Sequence, residues 1–265
     1  VKQLPPEICT VAFDSLGTSE AELKSNVVQM VESVGGLALL KKSPADIAAF
    51  MDSVQAKMKA NPYHNFSHIC DVTQFMYTAL VQTKIAERLS PLQRTALVLA
   101  AICHDLEHPG MNNAYQVNAM TDLALRYNDS SPLENHHCAV AWELLRLPGC
   151  AILEWLDHEQ LSTVRKLMIK MILATDMTCH FGLQVKAPLG IARHATIGGP
   201  THLSLLAALA ARRNSRIAPY VSGKSATISK SSSARATEKA SHTAPHSSSS
   251  RLLLLPLLLL HPMML

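Results

Sequence analysis

SPLQRTALVLAAICHDLEHPG, Ser90 to Gly110, is the stretch whose reading decides how this chain folds. Ser90 and Pro91 place a capping side chain and a first-turn proline ahead of LQRTALVLAAIC, an arrangement that begins a helix. The second half of that run is nearly apolar, so the helix is expected in the middle of a bundle with protein on most sides. His104 and Asp105 come at its end. Polar groups in that position are expensive to bury unless something coordinates them, and a metal ion is the obvious candidate.

Similar signals recur on the N-terminal side. Ser19 precedes AELKSNVVQMVESV and Ser43-Pro44 precedes ADIAAFMDSVQAKM, while Gly35, Gly36 and the pair Asn61-Pro62 read as stops. From Ser19 to about Leu183 apolar residues recur at three and four with almost no alternation, which predicts an all-α bundle of several helices. Met76, Met168 and Met171 fall on its core positions. The 265 residues suit one large domain with an appendage.

The net charge of +4 hides a division. Residues 1–184 hold 14 Lys/Arg and 19 Asp/Glu, whereas residues 185–265 hold 10 Lys/Arg and the single acid Glu238. The boundary near 184 therefore separates a mildly acidic helical part from a basic Ser/Ala/Leu-rich tail, whose GKSATISKSSSARATEKASHTAPHSSSS is expected to be disordered. The closing RLLLLPLLLLHPMML is too short for a membrane span and is interrupted by Pro256. The tail's charges are spread thinly and Tyr220 is its only aromatic, which argues against nucleic acid as a partner. Six cysteines at scattered spacings, with no C-x-x-C pair and no secretory signal, read as reduced thiols of a cytoplasmic protein. The start VKQLPPEICT, without an initiator methionine, reads as the beginning of a fragment or an incomplete gene model.

Three clusters carry chemistry. In NPYHNFSHICD, His64 and His68 stand four apart and would share one face of a helix beginning near them. CHDLEHPG offers His104 and Asp105 side by side, with His108 one turn later, and RYNDSSPLENHHCAVAWELL supplies Glu134, Asn135, His136 and His137. Lone histidines are usually surface or core residues, but seven of the thirteen histidines fall between His64 and His158, and an adjacent His-Asp pair tips the weighing to a metal site. Imidazoles favour zinc, and carboxylate with water oxygens suits magnesium or manganese, so a two-metal site with Asp105 as bridge is expected. Glu134 has a plainer alternative as a first-turn acid facing the helix dipole. Asn65, Asn112 and Asn113 serve equally well as turn or capping residues or as substrate contacts, and Asp176 and His137 receive no role.

In order along the chain stand Y-H-N-x-x-x-H, H-D-x-x-H-P-G, Y-N-D-x-S-P-L-E-N-H-H and L-A-T-D-M. Over roughly Thr10 to Phe181 the sequence resembles the catalytic domain of class I 3′,5′-cyclic-nucleotide phosphodiesterases, closest to the cGMP-specific phosphodiesterase 9 branch. The resemblance implies an HD-type helical fold and hydrolysis of a cyclic nucleotide, cGMP or cAMP, to the 5′-monophosphate in signal termination. It implies His64 as general acid to the leaving 3′ oxygen, and His68, His104 and Asp105 as ligands of a first, zinc ion. Asp105 would also touch a second ion, Mg2+ or Mn2+, with His108, Glu134 and Thr175 holding its waters or orienting neighbours, and Tyr63 would line the pocket.

The family continues past L-A-T-D-M with a fourth ligand aspartate and a purine-binding glutamine and phenylalanine. Here Asp176, Gln184 and Phe181 are the last residues of their types. The change after HFGLQVKA reads as a translated intron, a shifted frame or an alternative exon, which leaves the domain C-terminally incomplete and its turnover doubtful. The rival reading is a truncated, non-catalytic relative, and a homo-oligomer through the uncovered bundle face stays open.

Overall fold

The computed structural model describes residues 4–176 and Thr178, and the division near 184, the tail and its charges lie outside them. Among the described residues there are helices and no strands: α1 (Glu20–Ser33), α2 (Gly36–Leu40), α3 (Pro44–Ala56), α4 (Phe66–Gln82), a 3-10 turn (Ile85–Arg88), α5 (Pro91–Cys103), α6 (Asn113–Asn118), α7 (Asp122–Tyr127), α8 (Pro132–Leu144) and α9 (His158–Leu173). None of them is long and apolar enough to cross a membrane.

The expected starts hold for a local reason. Ser19, Ser43 and Ser90 each form a reciprocal capping box, with Glu22, Asp46 and Gln93 returning the hydrogen bond. The stops differ. Gly35 does end α1, in the left-handed region at φ 87°, but Gly36 opens the short α2. α3 ends at Ala56, well before Asn61-Pro62, because Lys57 turns its carbonyl and its ammonium toward Glu107 of a distant loop.

α5 lies at the centre, packed against α4 and α9 and touching α1, α2 and α8. Every residue from Thr95 to Cys103 is buried, as its apolar second half requires. Met76, Met168 and Met171 are core, as expected, with Phe50, Phe75 and Tyr77 around them. Tyr77 keeps its hydroxyl satisfied through Ser33 Oγ at 2.6 Å inside this apolar interior. The five described cysteines are free thiols, and burial pushes Cys70 and Cys138 up to about 12, so both stay protonated and inert at neutral pH. Because α5 is held from all sides, its C-terminal end is a rigid platform, and the histidine-rich residues gather there.

Candidate metal centre

Four pieces of chain meet at the end of α5. His104 is the C-cap of α5 and Asp105 follows it, His68 lies in the first turn of α4, and His137 projects from α8. Asn65 caps α4, its Oδ1 accepting the backbone N–H of His68 itself at 3.1 Å, so the cap also fixes a candidate ligand. His64 is not on that helix, contrary to the shared-face expectation, because α4 begins only at Phe66. The preceding loop brings it in instead, its ring 5.5 Å from that of His68 and stacked on His108 at 3.9 Å. Tyr63 packs edge-on to His64 at 4.9 Å and tilted on His68 at 4.7 Å.

Two groups of ligand atoms result, each within 4.8 Å: His68, His104 and Asp105, and Asp105, His108 and His137. Asp105 belongs to both, as a bridge must. His68 Nε2 and His104 Nε2 each lie 3.3 Å from Asp105 Oδ2, and His137 Nε2 lies 3.6 Å from Oδ1.

The donor set fits a cation on internal grounds. His68 Nε2, His104 Nε2 and Asp105 Oδ2 are buried without a hydrogen-bond partner, which a native site does not leave uncompensated. The tautomers agree. His104 Nδ1 faces the Ala101 carbonyl at 2.8 Å and His137 Nδ1 the Leu106 carbonyl at 2.7 Å. A carbonyl only accepts, so both Nδ1 atoms carry the hydrogen and, in the neutral rings that a cation binds, both Nε2 atoms present bare lone pairs. His108 is the reverse. Its Nδ1 accepts the Gly110 N–H at 3.0 Å, so in the neutral ring Nε2 carries the proton, which suits a donor to a bound water better than a ligand.

Burial drives the charge states. It pushes the Asp105 carboxyl up, but His104, with His68 and His137, outweighs it and holds the group well below the usual range. Burial also pulls His104 down, and Asp105 more than reverses this, leaving His104 raised. Burial lowers His64 and His108 to about 4 and His137 to about 3, so all three rings are neutral at pH 7. A general acid near neutrality was expected at His64, and desolvation is what moves it away.

Glu134 sits in the first turn of α8, as the plainer alternative required, and is also drawn into the site. Its Oε2 accepts from Asn113 Nδ2 at 2.8 Å, and burial, reinforced by Asp176 and Asp105, raises it to about 7. Thr175 donates its hydroxyl to the Ile172 carbonyl at the end of α9, a bond internal to that helix end. Asp176 accepts from Ser131 Oγ and so ties the end of α9 to the start of α8.

His137 and Asp176 are the residues that sequence reasoning left without a role, and Asn113 had none beyond a turn, cap or contact. His137 is paired with His136, and nothing local says which of the two faces inward. Asn113 links α6 to α8, Oδ1 accepting the Leu133 N–H at 3.1 Å while Nδ2 holds Glu134. Asn112 and Asn65 are helix caps.

The family described as 3′5′-cyclic nucleotide phosphodiesterase matches residues 63–210. The chain is 43% identical over 159 residues to the mouse high affinity cGMP-specific 3′,5′-cyclic phosphodiesterase 9A, covering 60% of this chain and 30% of that protein. It is also 43% identical over 170 residues to the 3′,5′-cyclic-nucleotide phosphodiesterase regA of Dictyostelium discoideum, covering 64% of this chain and 21% of that one. The chain thus spans less than a third of the length of these curated relatives. Among solved structures, the phosphodiesterase domain of the Salpingoeca rosetta rhodopsin phosphodiesterase superposes with a TM-score of 0.65 at 32% identity, over 68% of this chain and 54% of that one.

Proposed function

Because the chain belongs to the 3′5′-cyclic nucleotide phosphodiesterase family, we propose that it hydrolyses a 3′,5′-cyclic nucleotide, cGMP in preference to cAMP, to the nucleoside 5′-monophosphate. The observation that carries this reading is Asp105, a buried carboxylate shared by two groups of ligand atoms. The preference for cGMP draws on the name of the mouse relative.

His68, His104 and Asp105 would hold Zn2+, for which two imidazoles and a carboxylate are suited. Asp105 and His137 would hold Mg2+ or Mn2+, with His108 and Glu134 hydrogen-bonded to its waters and Thr175 supporting the adjoining helix end. Bound ions would supply a water of lowered pKa and neutralise the phosphoryl oxygens. His64 would carry the proton to the leaving 3′ oxygen from the loop beside Tyr63. A phosphodiester anion next to His64 raises its proton affinity against the effect of burial, so the substrate itself would help to charge the acid.

A second reading, a metal-binding relative without turnover, is favoured by one observation: Asp176 is the last aspartate of the sequence, and Glu238 is the one acidic side chain beyond it. Purified chain reconstituted with Zn2+ and Mg2+ and incubated with cGMP or cAMP separates the two. Formation of the 5′-monophosphate that chelation abolishes is expected, and two bound ions with no product would establish the second reading.

A further inference from the structure

We propose that Glu107 is a positioning residue that sets the spacing of the Asp105, His108 and His137 group by locking the loop after α5 between the end of α3 and α8. This rests on the metal reading of the site.

Glu107 occupies the left-handed region at φ 60°, which a side-chain-bearing residue adopts only where its surroundings over-determine it. Three contacts do so. Its N–H donates to the Lys57 carbonyl at 3.1 Å, its Oε1 accepts from Lys57 Nζ at 2.7 Å, and its Oε2 accepts from His136 Nε2 at 3.0 Å. The carboxylate therefore joins two elements that are far apart in sequence, with the loop between them.

A second contact with α8 comes one residue earlier on the loop and one residue later on the helix, where His137 Nδ1 donates to the Leu106 carbonyl at 2.7 Å. Consecutive histidines of α8 thus grip consecutive residues of the loop. The Leu106 bond fixes the tautomer of His137 and turns its Nε2 to Asp105 Oδ1 at 3.6 Å. The Glu107 bond fixes the rotation of α8 about the loop, and so decides whether that approach is reached. His108 is the next residue on the same loop, and its ring orientation follows from the same backbone. His68 and His104 are held by hydrogen bonds to Asn65 and Ala101, whereas Glu107 bonds to Lys57 and His136. The effect of Glu107 is therefore selective for the second group.

The test is metal binding by the full chain, with Mn2+ followed by electron paramagnetic resonance and Co2+ by its visible absorption. Glu107→Gln is expected to weaken Mn2+ binding about ten- to a hundred-fold, the usual effect of losing a group that orients ligands, while the affinity of the tighter Co2+ site changes less than about three-fold. His136→Gln, which keeps a donor near the Nε2 position, is expected to bind Mn2+ within about three-fold of the parent, whereas His136→Ala reproduces the Glu107→Gln loss. Lys57→Met added to Glu107→Gln should bring less than its own single loss, because both remove the same link. Unchanged Mn2+ affinity in Glu107→Gln, or equal losses at both sites, overturns the inference. If Glu107→Gln does not fold, His136→Ala and Lys57→Met decide by the same criterion. A parent chain that binds neither ion overturns the metal reading itself, and this inference with it.

Discussion

Glutamine in place of Glu134 should stabilise the metal-free chain at alkaline pH and weaken its hold on a divalent cation. The side chain is 8% exposed, accepts from Asn113 Nδ2 at 2.8 Å and feels the charges of Asp176 and Asp105. Burial raises its pKa to about 7, whereas in the unfolded chain it titrates at about 4.3. The folded chain thus keeps the proton to higher pH than the unfolded chain does. Ionisation removes stability progressively between about pH 4.3 and pH 7, and above that the penalty is constant. The interval between those values corresponds to about 4 kcal/mol at pH 8 and about 1 kcal/mol at pH 5. Glutamine carries no charge and retains an acceptor for Asn113, so it removes this penalty without opening a cavity. Urea unfolding in a chelator should show the variant more stable by about those amounts at the two pH values. Saturating Mn2+ should reverse the order, because only the carboxylate is drawn to the cation and its waters. A variant no more stable than the parent at pH 8, or a gain of equal size at both pH values, would refute the reasoning.

Two further outcomes follow from the same interior. The metal-free chain should be acid-labile, because His64 and His108 fall to about 4 and His137 to about 3, burial being the main cause. Their folded values lie below the unfolded one near 6.5, so stability is lost as pH falls from there, by about 2 kcal/mol per histidine at pH 5. Unfolding midpoints at pH 7 and pH 5, measured in the Glu134→Gln background to remove the opposite trend of that acid, should show the loss, and adding His137→Gln should reduce it. Gly110→Ala should destabilise the chain by about 1–2 kcal/mol in the same assay, because position 110 is left-handed and resists any side chain. Its φ is +86°, and a new Cβ would meet Asn61 Oδ1 at 2.9 Å, disturbing the amide that bridges the carbonyls of His64 and His108.

What was legible in the sequence was what is locally determined. Capping boxes at Ser19, Ser43 and Ser90 close within four residues, so each start could be read before any packing was known. That polar groups gather at the end of α5 was legible because His104 and Asp105 follow a helix too apolar to carry them without a partner. The end of α3 was not, since Lys57 leaves the helix for Glu107, fifty positions away. Nor was the choice between His136 and His137, which depends on how α8 is rotated on the loop after α5. His64 is the clearest case: four residues before His68, it suggested a shared helix face, but Asn65 starts the helix one residue too late for that.

The end of α5 explains why the site is where it is. The last carbonyls of a helix have no intrahelical partner, and Ala101 is among them in a helix that stops at Cys103. Its oxygen is free to accept from His104 Nδ1, and in the neutral ring that bond leaves the Nε2 lone pair bare. One residue beyond Asp105, the Leu106 carbonyl does the same for His137. The Ala101 carbonyl that the helix end leaves unpaired and the Leu106 carbonyl of the following loop therefore select the tautomers that a cation needs. A longer α5 would satisfy both carbonyls internally, and the same histidines would lose the constraint that turns their Nε2 atoms toward Asp105.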